Sequence, residues 1–294
     1  MGRFGQAFLL ATFAACGYGS SGIFIHFFSS QGITPSGMLM GRYWIIALLL
    51  GPVAIQSRHT LAWSSVRKLL LLGMLVITIQ VACYIVAVQD LGPGTAAILI
   101  YVYPSLVLLW ERILFQRPIR SQQVGLIALS WVGSYLVVGT QTIHGTWIGA
   151  VAALLSAVLY SFYLSISHHV SRGCTIWITS WAVAVGAAIG SSLLACFWAP
   201  HFPAPTISLF SMMVGLALFA TLFPMVAIFA SMQRIGAAAT SLLCMSEPIF
   251  AVLVGVWLFQ ESLGPVQIAG AVLIMIASAL LSQQKPAQPL PHSI

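Results

Sequence analysis

Glu247 stands about ten residues into an apolar stretch running from Ala237 to Phe259, which puts its carboxyl ~15 Å deep at the rise of a helix. An acid at that depth must be paired, protonated or turned toward a wet cavity. Arg42 lies about eight residues into a second apolar stretch, Thr34 to Gln56, at a similar depth given the 1.5 Å rise. Two readings follow: a buried ion pair between Arg42 and Glu247 that fixes helix packing, or direct work on a substrate or a proton. Polar aromatic residues supply the rest of the chemistry. Ser156, Tyr160, Tyr163 and Ser167 recur at helical spacing and form one stripe, and Gln80 with Tyr84 forms another. Such stripes suit the wall of a solvated interior, with helix-packing hydroxyls as the rival for Tyr84, Tyr101 and Tyr103. Tyr101 and Tyr103 are ~200° apart on a helix, so both can hardly enter one narrow cavity. Pro248 follows Glu247 and Pro104 follows Tyr103; each removes a backbone donor, and the kink exposes polar backbone.

These residues need elements that can hold them inside lipid. The chain is 60% hydrophobic and 5% charged, where a soluble domain carries about a quarter charged residues. Ser121 to Ser171 and Gly173 to Gln233 contain no Asp, Glu, Lys or Arg, and each could cross a hydrocarbon core of ~30 Å twice. Breaks at Gly, Pro and charge predict ten membrane helices: Phe4 to Phe28, Thr34 to Gln56, Leu69 to Gln89, Gly94 to Arg112, Gln122 to Thr140, Gly145 to Ser167, Thr175 to Ala199, Thr206 to Met232, Ala237 to Phe259 and Gly264 to Ser282. Continuous rather than alternating apolarity favours helices over a barrel. The expected fold is an all-α polytopic membrane protein.

With the N-terminus inside, Arg3, Arg58, Arg67, Lys68, Arg112, Arg117, Arg120, Arg172, Arg234 and Lys285 all fall on the cytoplasmic side, and the external connections carry only Asp90 and Glu261. Both ends are expected in the cytoplasm. The formal charge of +7 is accounted for by loops facing anionic lipid, so no nucleic-acid partner is implied. Sliding the chain on itself by 144 residues superposes Gly92 on Gly236, Pro104 on Pro248, and Phe115-Gln116 on Phe259-Gln260. Five spans per half is odd, so the second copy enters the membrane from the opposite face. Two inverted five-helix repeats, residues 1–142 and 143–283, should enclose a central cavity, with 284–294 as a disordered cytoplasmic tail. Inverted repeats favour a transporter that works by alternating access.

Other patterns carry less. Gly17, Gly19 and Gly22 spell a dinucleotide-binding pattern but sit in an apolar helix without a preceding strand, and read as helix-packing glycines. There is no phosphate-loop sequence. The five cysteines are scattered singly, and His168-His169 has no ligand partner at metal-binding spacing. No metal and no cofactor are expected. Trp63, Trp110, Trp147, Trp177 and Trp257 read as interfacial belt residues. A nucleophile with its base is not visible, which leaves an intramembrane enzyme as the weakest of the function classes.

Arg42 in span two, Gly92-Pro93-Gly94 through Pro104, and Arg234-Ile235-Gly236 through Ser246-Glu247-Pro248, closing on Phe259-Gln260-Glu261, together resemble the drug/metabolite transporter superfamily in its EamA-type branch. The resemblance covers nearly the whole chain. Its most specific element is the Glu-Pro of span nine with a later acid, here Glu247-Pro248 and Glu261; the first half carries Tyr103-Pro104 and Arg117 instead. Within the branch the chain is most similar to the YddG-type exporters of aromatic amino acids of the bacterial inner membrane. The resemblance implies a substrate site near Gln80, Tyr84, Tyr101 or Tyr103, Pro224, Ser246 and Glu247, to which the span-six stripe adds Tyr163. The implied activity is amino acid efflux by a protein expected to work as a monomer. A related carrier for a drug-like cation, a purine or another metabolite is the alternative.

Overall fold

A computed structural model describes residues 3–56, 63–138, 146–201, 206–247, 250 and 264–282. Every regular element among them is helical. In chain order these are α1 (Arg3–Gly19), α2 (Ser21–Ser30), α3 (Pro35–Gln56), α4 (Trp63–Leu71), α5 (Thr78–Leu91), α6 (Pro93–Ile100), α7 (Tyr103–Phe115), α8 (Ser121–Val138), α9 (Trp147–Val170), α10 (Ile176–Ala195), α11 (Ile207–Ala217), α12 (Phe223–Ile235), α13 (Ala237–Cys244) and α14 (Pro265–Ser282). Two π-helical stretches, Leu72–Ile77 and Leu218–Leu222, fuse α4 to α5 and α11 to α12. Five continuous runs among the described residues are long and apolar enough to cross a membrane: Pro35–Gln56, Trp63–Leu91, Trp147–Val170, Ile176–Ala195 and Ile207–Ile235. Large apolar side chains such as Leu48, Trp147 and Ile207 point away from the bundle. Lipid is the solvent that such a surface fits.

Several stretches expected as single helices are broken, and each break has a local cause. The chain turns at Tyr101 and Val102, just ahead of Pro104, whose ring cannot supply the amide a continuous helix needs. Ser105 N then donates to the Val102 carbonyl at 3.1 Å, and the Tyr101 carbonyl is taken up by the indole N–H of Trp131 at 3.0 Å. A second turn falls at Met245 and Ser246, ahead of Pro248. Pro248 itself lies outside the described residues, as do Arg58, Trp257, Glu261 and the expected tail.

Local features recur 144 residues apart. Gly92 and Gly236 both adopt positive φ, 81° and 85°, with ψ of 158° and 168°, a conformation that a side chain would strain. Val102 N bonds the Leu99 carbonyl as Ser246 N bonds that of Leu243. One residue out of that register, a threonine hydroxyl in each half caps a carbonyl five residues back at the π stretch: Thr78 to Gly73 at 3.2 Å and Thr221 to Leu216 at 3.0 Å. The packing follows the same exchange. α1 lies on α12 as α9 lies on α5, α13 touches α1 as α6 touches α9, and the self-related pairs α3 with α10 and α8 with α14 are tightly joined.

One departure from that symmetry decides where open space is left. Gly73, Gly186 and Gly190 let the α4–α5 run and α10 meet backbone to backbone: a Cβ on Gly73 would strike the Val183 carbonyl, and one on Gly190 the Met74 carbonyl. In the related seam between α3 and α11, the Met213 side chain stands against Gly41. Small residues close one seam, and a long side chain spaces the other.

Candidate functional site

Between these helices lies a cavity of about 90 Å³, room for several waters. Arg42 and Tyr43 reach it from α3, Gln80 and Tyr84 from α5, Tyr103 from the start of α7, Tyr160 and Tyr163 from α9, and Glu247 from the turn after α13. Tyr18 and Ser21 enter from the α1–α2 junction, and Thr221 from the second π stretch. Apolar side chains including Ile25, Val81 and Met225 complete the wall. The result is a small chamber of phenol rings and aliphatic surface holding one acid and one base, the composition of a pocket that takes an amphiphilic small molecule.

The rings are arranged edge to face. Tyr103 and Tyr160 meet at 4.9 Å between centroids and 64°, and Tyr163 meets Phe229 at 6.2 Å and 70°, geometries that the ring quadrupole favours. Tyr103 donates its hydroxyl to the Ser241 carbonyl at 3.4 Å, tying the first half of the chain to α13. Gln80 donates to the Ser156 hydroxyl at 2.9 Å, so the polar stripes expected on spans three and six meet each other. Of the residues singled out from sequence, Gln80, Tyr84, Tyr103, Tyr163, Arg42 and Glu247 therefore share one chamber.

Others lie elsewhere. Tyr101 is buried away from the cavity, its carbonyl held by Trp131, in keeping with the opposite facing of Tyr101 and Tyr103. Ser246 turns its hydroxyl back to the Leu243 carbonyl at 2.9 Å and does not reach the chamber. Pro104 and Pro224 do not line it; the Pro224 ring occupies the space a Cβ on Gly17 would need. The expected Arg42–Glu247 ion pair is not formed. Among the described residues Glu111 forms an ion pair with Arg117 and lies within 4.0 Å of the His169 ring. The Arg42 guanidinium instead lies over the Tyr43 ring, 4.9 Å from its centroid, and its Nε has no hydrogen-bond partner among the described residues.

Sequence reasoning passed over Tyr18 and Tyr43 and did not single out Glu111. Glu111 is buried on α7, 3.3 Å from Arg117 and 3.7 Å from His169, whose ring stacks on Phe115 with centroids 3.4 Å apart. This cluster closes the end of the α7–α9 contact, away from the chamber. Trp110, expected in an interfacial belt, donates instead to the Ser161 hydroxyl at 3.1 Å and packs edge-on against Phe162. Among the described residues no group of His, Cys, Asp and Glu has metal-binding geometry.

A polar-aromatic chamber inside a bundle of apolar helices is the anatomy of a membrane transporter. The chain matches the EamA-like transporter family twice, over residues 5–139 and 147–283, and it belongs to that family. It is 23% identical over 269 residues to the uncharacterized transporter YcbK of Bacillus subtilis (strain 168), covering 86% of this chain and 85% of that one. An uncharacterized transporter of Archaeoglobus fulgidus is 26% identical over 208 residues, 70% of this chain and 73% of its own. A solved crystal structure superposes with a TM-score of 0.77 at 19% identity, covering 96% of this chain and 99% of that one, a likeness of fold. Members of the family are transporters, not enzymes.

Proposed function

We propose that this protein is a secondary transporter or facilitator that exports amino acids, especially aromatic and other large apolar ones, across the bacterial inner membrane by alternating access. The observation that carries the reading is the chamber, where phenol rings from α1, α5, α7 and α9 surround one acid and one base. Such rings stack on an apolar side chain, and the polar groups hold the charged backbone of the substrate. Moving such a substrate across requires the chamber to open to each side in turn, as in a carrier that alternates between two openings.

The proposed frame is ten spans in two inverted five-helix repeats, residues 1–142 and 143–283, with both termini cytoplasmic. The paired family matches and the recurrence of backbone breaks at 144 residues support two copies of one unit. Five spans per copy make the copies antiparallel in the membrane, and the placement of Lys and Arg favours an N-terminus inside. The chamber is lined by residues of one chain, which supports a working monomer.

Purified protein in liposomes tests the reading. Saturable uptake of labelled phenylalanine, tryptophan or methionine is expected, measured with and without an imposed pH gradient to establish coupling. If none of the three moves while an organic cation or a nucleobase does, the cargo assignment is wrong.

A further inference from the structure

Arg42 and Glu247 face one chamber from different helices without meeting. Arg42 is buried, 5% exposed as a residue, and its Nε has no hydrogen-bond partner among the described residues, a costly arrangement inside a membrane protein unless an anion visits the guanidinium. Its planar fork matches a carboxylate, and the Tyr43 ring beneath restricts where it points. Glu247 offers the complement for an ammonium group. Tyr18 and Tyr84 line the same chamber as both residues, so phenol groups share the space that the acid and the cation face.

Charge matching then selects the class of ligand. An organic cation would engage Glu247 and leave Arg42 uncompensated, and an organic anion would do the reverse. A molecule carrying both charges at a short fixed separation answers both and brings no net charge into the low-dielectric interior. We infer that Arg42 is the carboxylate receptor and Glu247 the ammonium receptor of a two-point site for α-amino acid zwitterions, with the tyrosines selecting an aromatic or large apolar side chain. This rests on the amino acid reading proposed above and assigns Arg42 a specificity role rather than a packing one.

Binding to the purified full-length protein tests it with three ligands of one ring: phenylalanine, 2-phenylethylamine and 3-phenylpropionate. Isothermal titration of the unmodified protein should show phenylalanine bound about tenfold or more tighter than either analogue, the scale of one lost charge-assisted contact. In Arg42→Gln the preference over phenylethylamine should collapse toward one, and in Glu247→Gln the preference over phenylpropionate should collapse. Arg42→Lys, which keeps the charge without the fork, should fall between. An unmodified protein that binds phenylethylamine as well as phenylalanine overturns the inference, even if Arg42→Gln fails to fold. So does an Arg42→Gln protein that keeps the original preference, and in that case amino acid transport still stands. If phenylalanine, tryptophan and methionine all fail to bind, the amino acid reading falls and takes the inference with it.

Discussion

Gly186 on α10 and Leu70 on α4 meet backbone to backbone, so closely that a Cβ on Gly186 would collide with the Leu70 carbonyl. Displaced by 144 residues, Gly186 corresponds to Arg42 and its neighbour Ala187 to Tyr43. One half of the chain thus puts a cation and a ring where the other half puts its two smallest side chains. The same helical face closes a seam in one repeat and furnishes a chamber in the other. A duplicated unit becomes an asymmetric site by this exchange of size, without any change in the backbone plan.

The seam makes a direct prediction about stability. Gly186→Ala places a methyl group against backbone that cannot move aside, and should cost about 1–3 kcal/mol, as overpacking does. Gly125→Ala, on α8 with nothing within 4 Å of its Cβ position, should instead gain roughly 0.5 kcal/mol from helix propensity. Thermal unfolding of both in one detergent should move Tm in opposite directions. Equal Tm values would mean that the seam is not closed backbone to backbone.

Glu111, 3% exposed and paired with Arg117 and His169, predicts a coupled pair. Arg117→Ala removes the nearest cation from the buried carboxyl and leaves it His169 and the more distant Arg172; because the Arg117 side chain is 36% exposed, the cost should be about 1–3 kcal/mol, below that of a fully buried pair. Glu111→Gln with Arg117→Ala should cost less than the two single changes added together. A double-mutant cycle on unfolding free energy, giving a coupling of at least ~0.5 kcal/mol, is the expected result.

Much of the fold was legible because lipid forbids ambiguity: long uncharged segments have few alternatives to helix. The costly residues were legible for the same reason, and Arg42, Glu247, Gln80, Tyr84, Tyr103 and Tyr163 do share a chamber. Tyr18 was hidden by Gly17, Gly19 and Gly22, which read as a packing surface. Gly17 does pack, on Pro224, and Tyr18 one residue on is turned ~100° away, into the cavity. Tyr43 was masked by its charged neighbour. The alternative to the Arg42–Glu247 pair could not be read from depth, since two groups at one level may stand on opposite walls. Tyr101 lies outside the chamber as its opposite facing from Tyr103 implies, whereas Ser246 is lost as a lining residue because the chain turns there and its hydroxyl goes back to the Leu243 carbonyl.

Tyr103 joins two contacts that separate under mutation: an edge-to-face packing on Tyr160 and a hydroxyl bond to the Ser241 carbonyl. Tyr103→Phe keeps the ring and should change transport less than about threefold, since the lost bond is long and neutral. Tyr103→Ala removes the aromatic wall and should lower transport about tenfold at unchanged membrane abundance. Flux in liposomes at matched protein content distinguishes the two, and equal loss in both variants would assign the hydroxyl, not the ring, to the substrate.

Thr78 and Thr221 are predicted to do the same job in the two halves, with unequal consequences. A π stretch breaks the regular ladder and leaves carbonyls without amide partners; in lipid no water can take them up. Thr221 caps the Leu216 carbonyl, while Thr78 caps that of Gly73 and also reaches the Ala187 carbonyl at 3.4 Å on the facing helix. Thr→Val keeps the shape and deletes the donor. Thr221→Val should cost about 0.6 kcal/mol, the typical worth of a hydrogen bond inside a membrane protein, and Thr78→Val more, up to ~2 kcal/mol, because its one hydroxyl proton is shared between the Gly73 carbonyl and a carbonyl on the facing helix, so a contact between halves goes with it. Thr→Ser should restore most of each loss. Hydrogen exchange should rise around 72–78 in Thr78→Val and around 218–222 in Thr221→Val. If Thr78→Val and Thr221→Val prove equal, the bond to Ala187 contributes nothing, and the α4–α10 seam is held by its glycines alone.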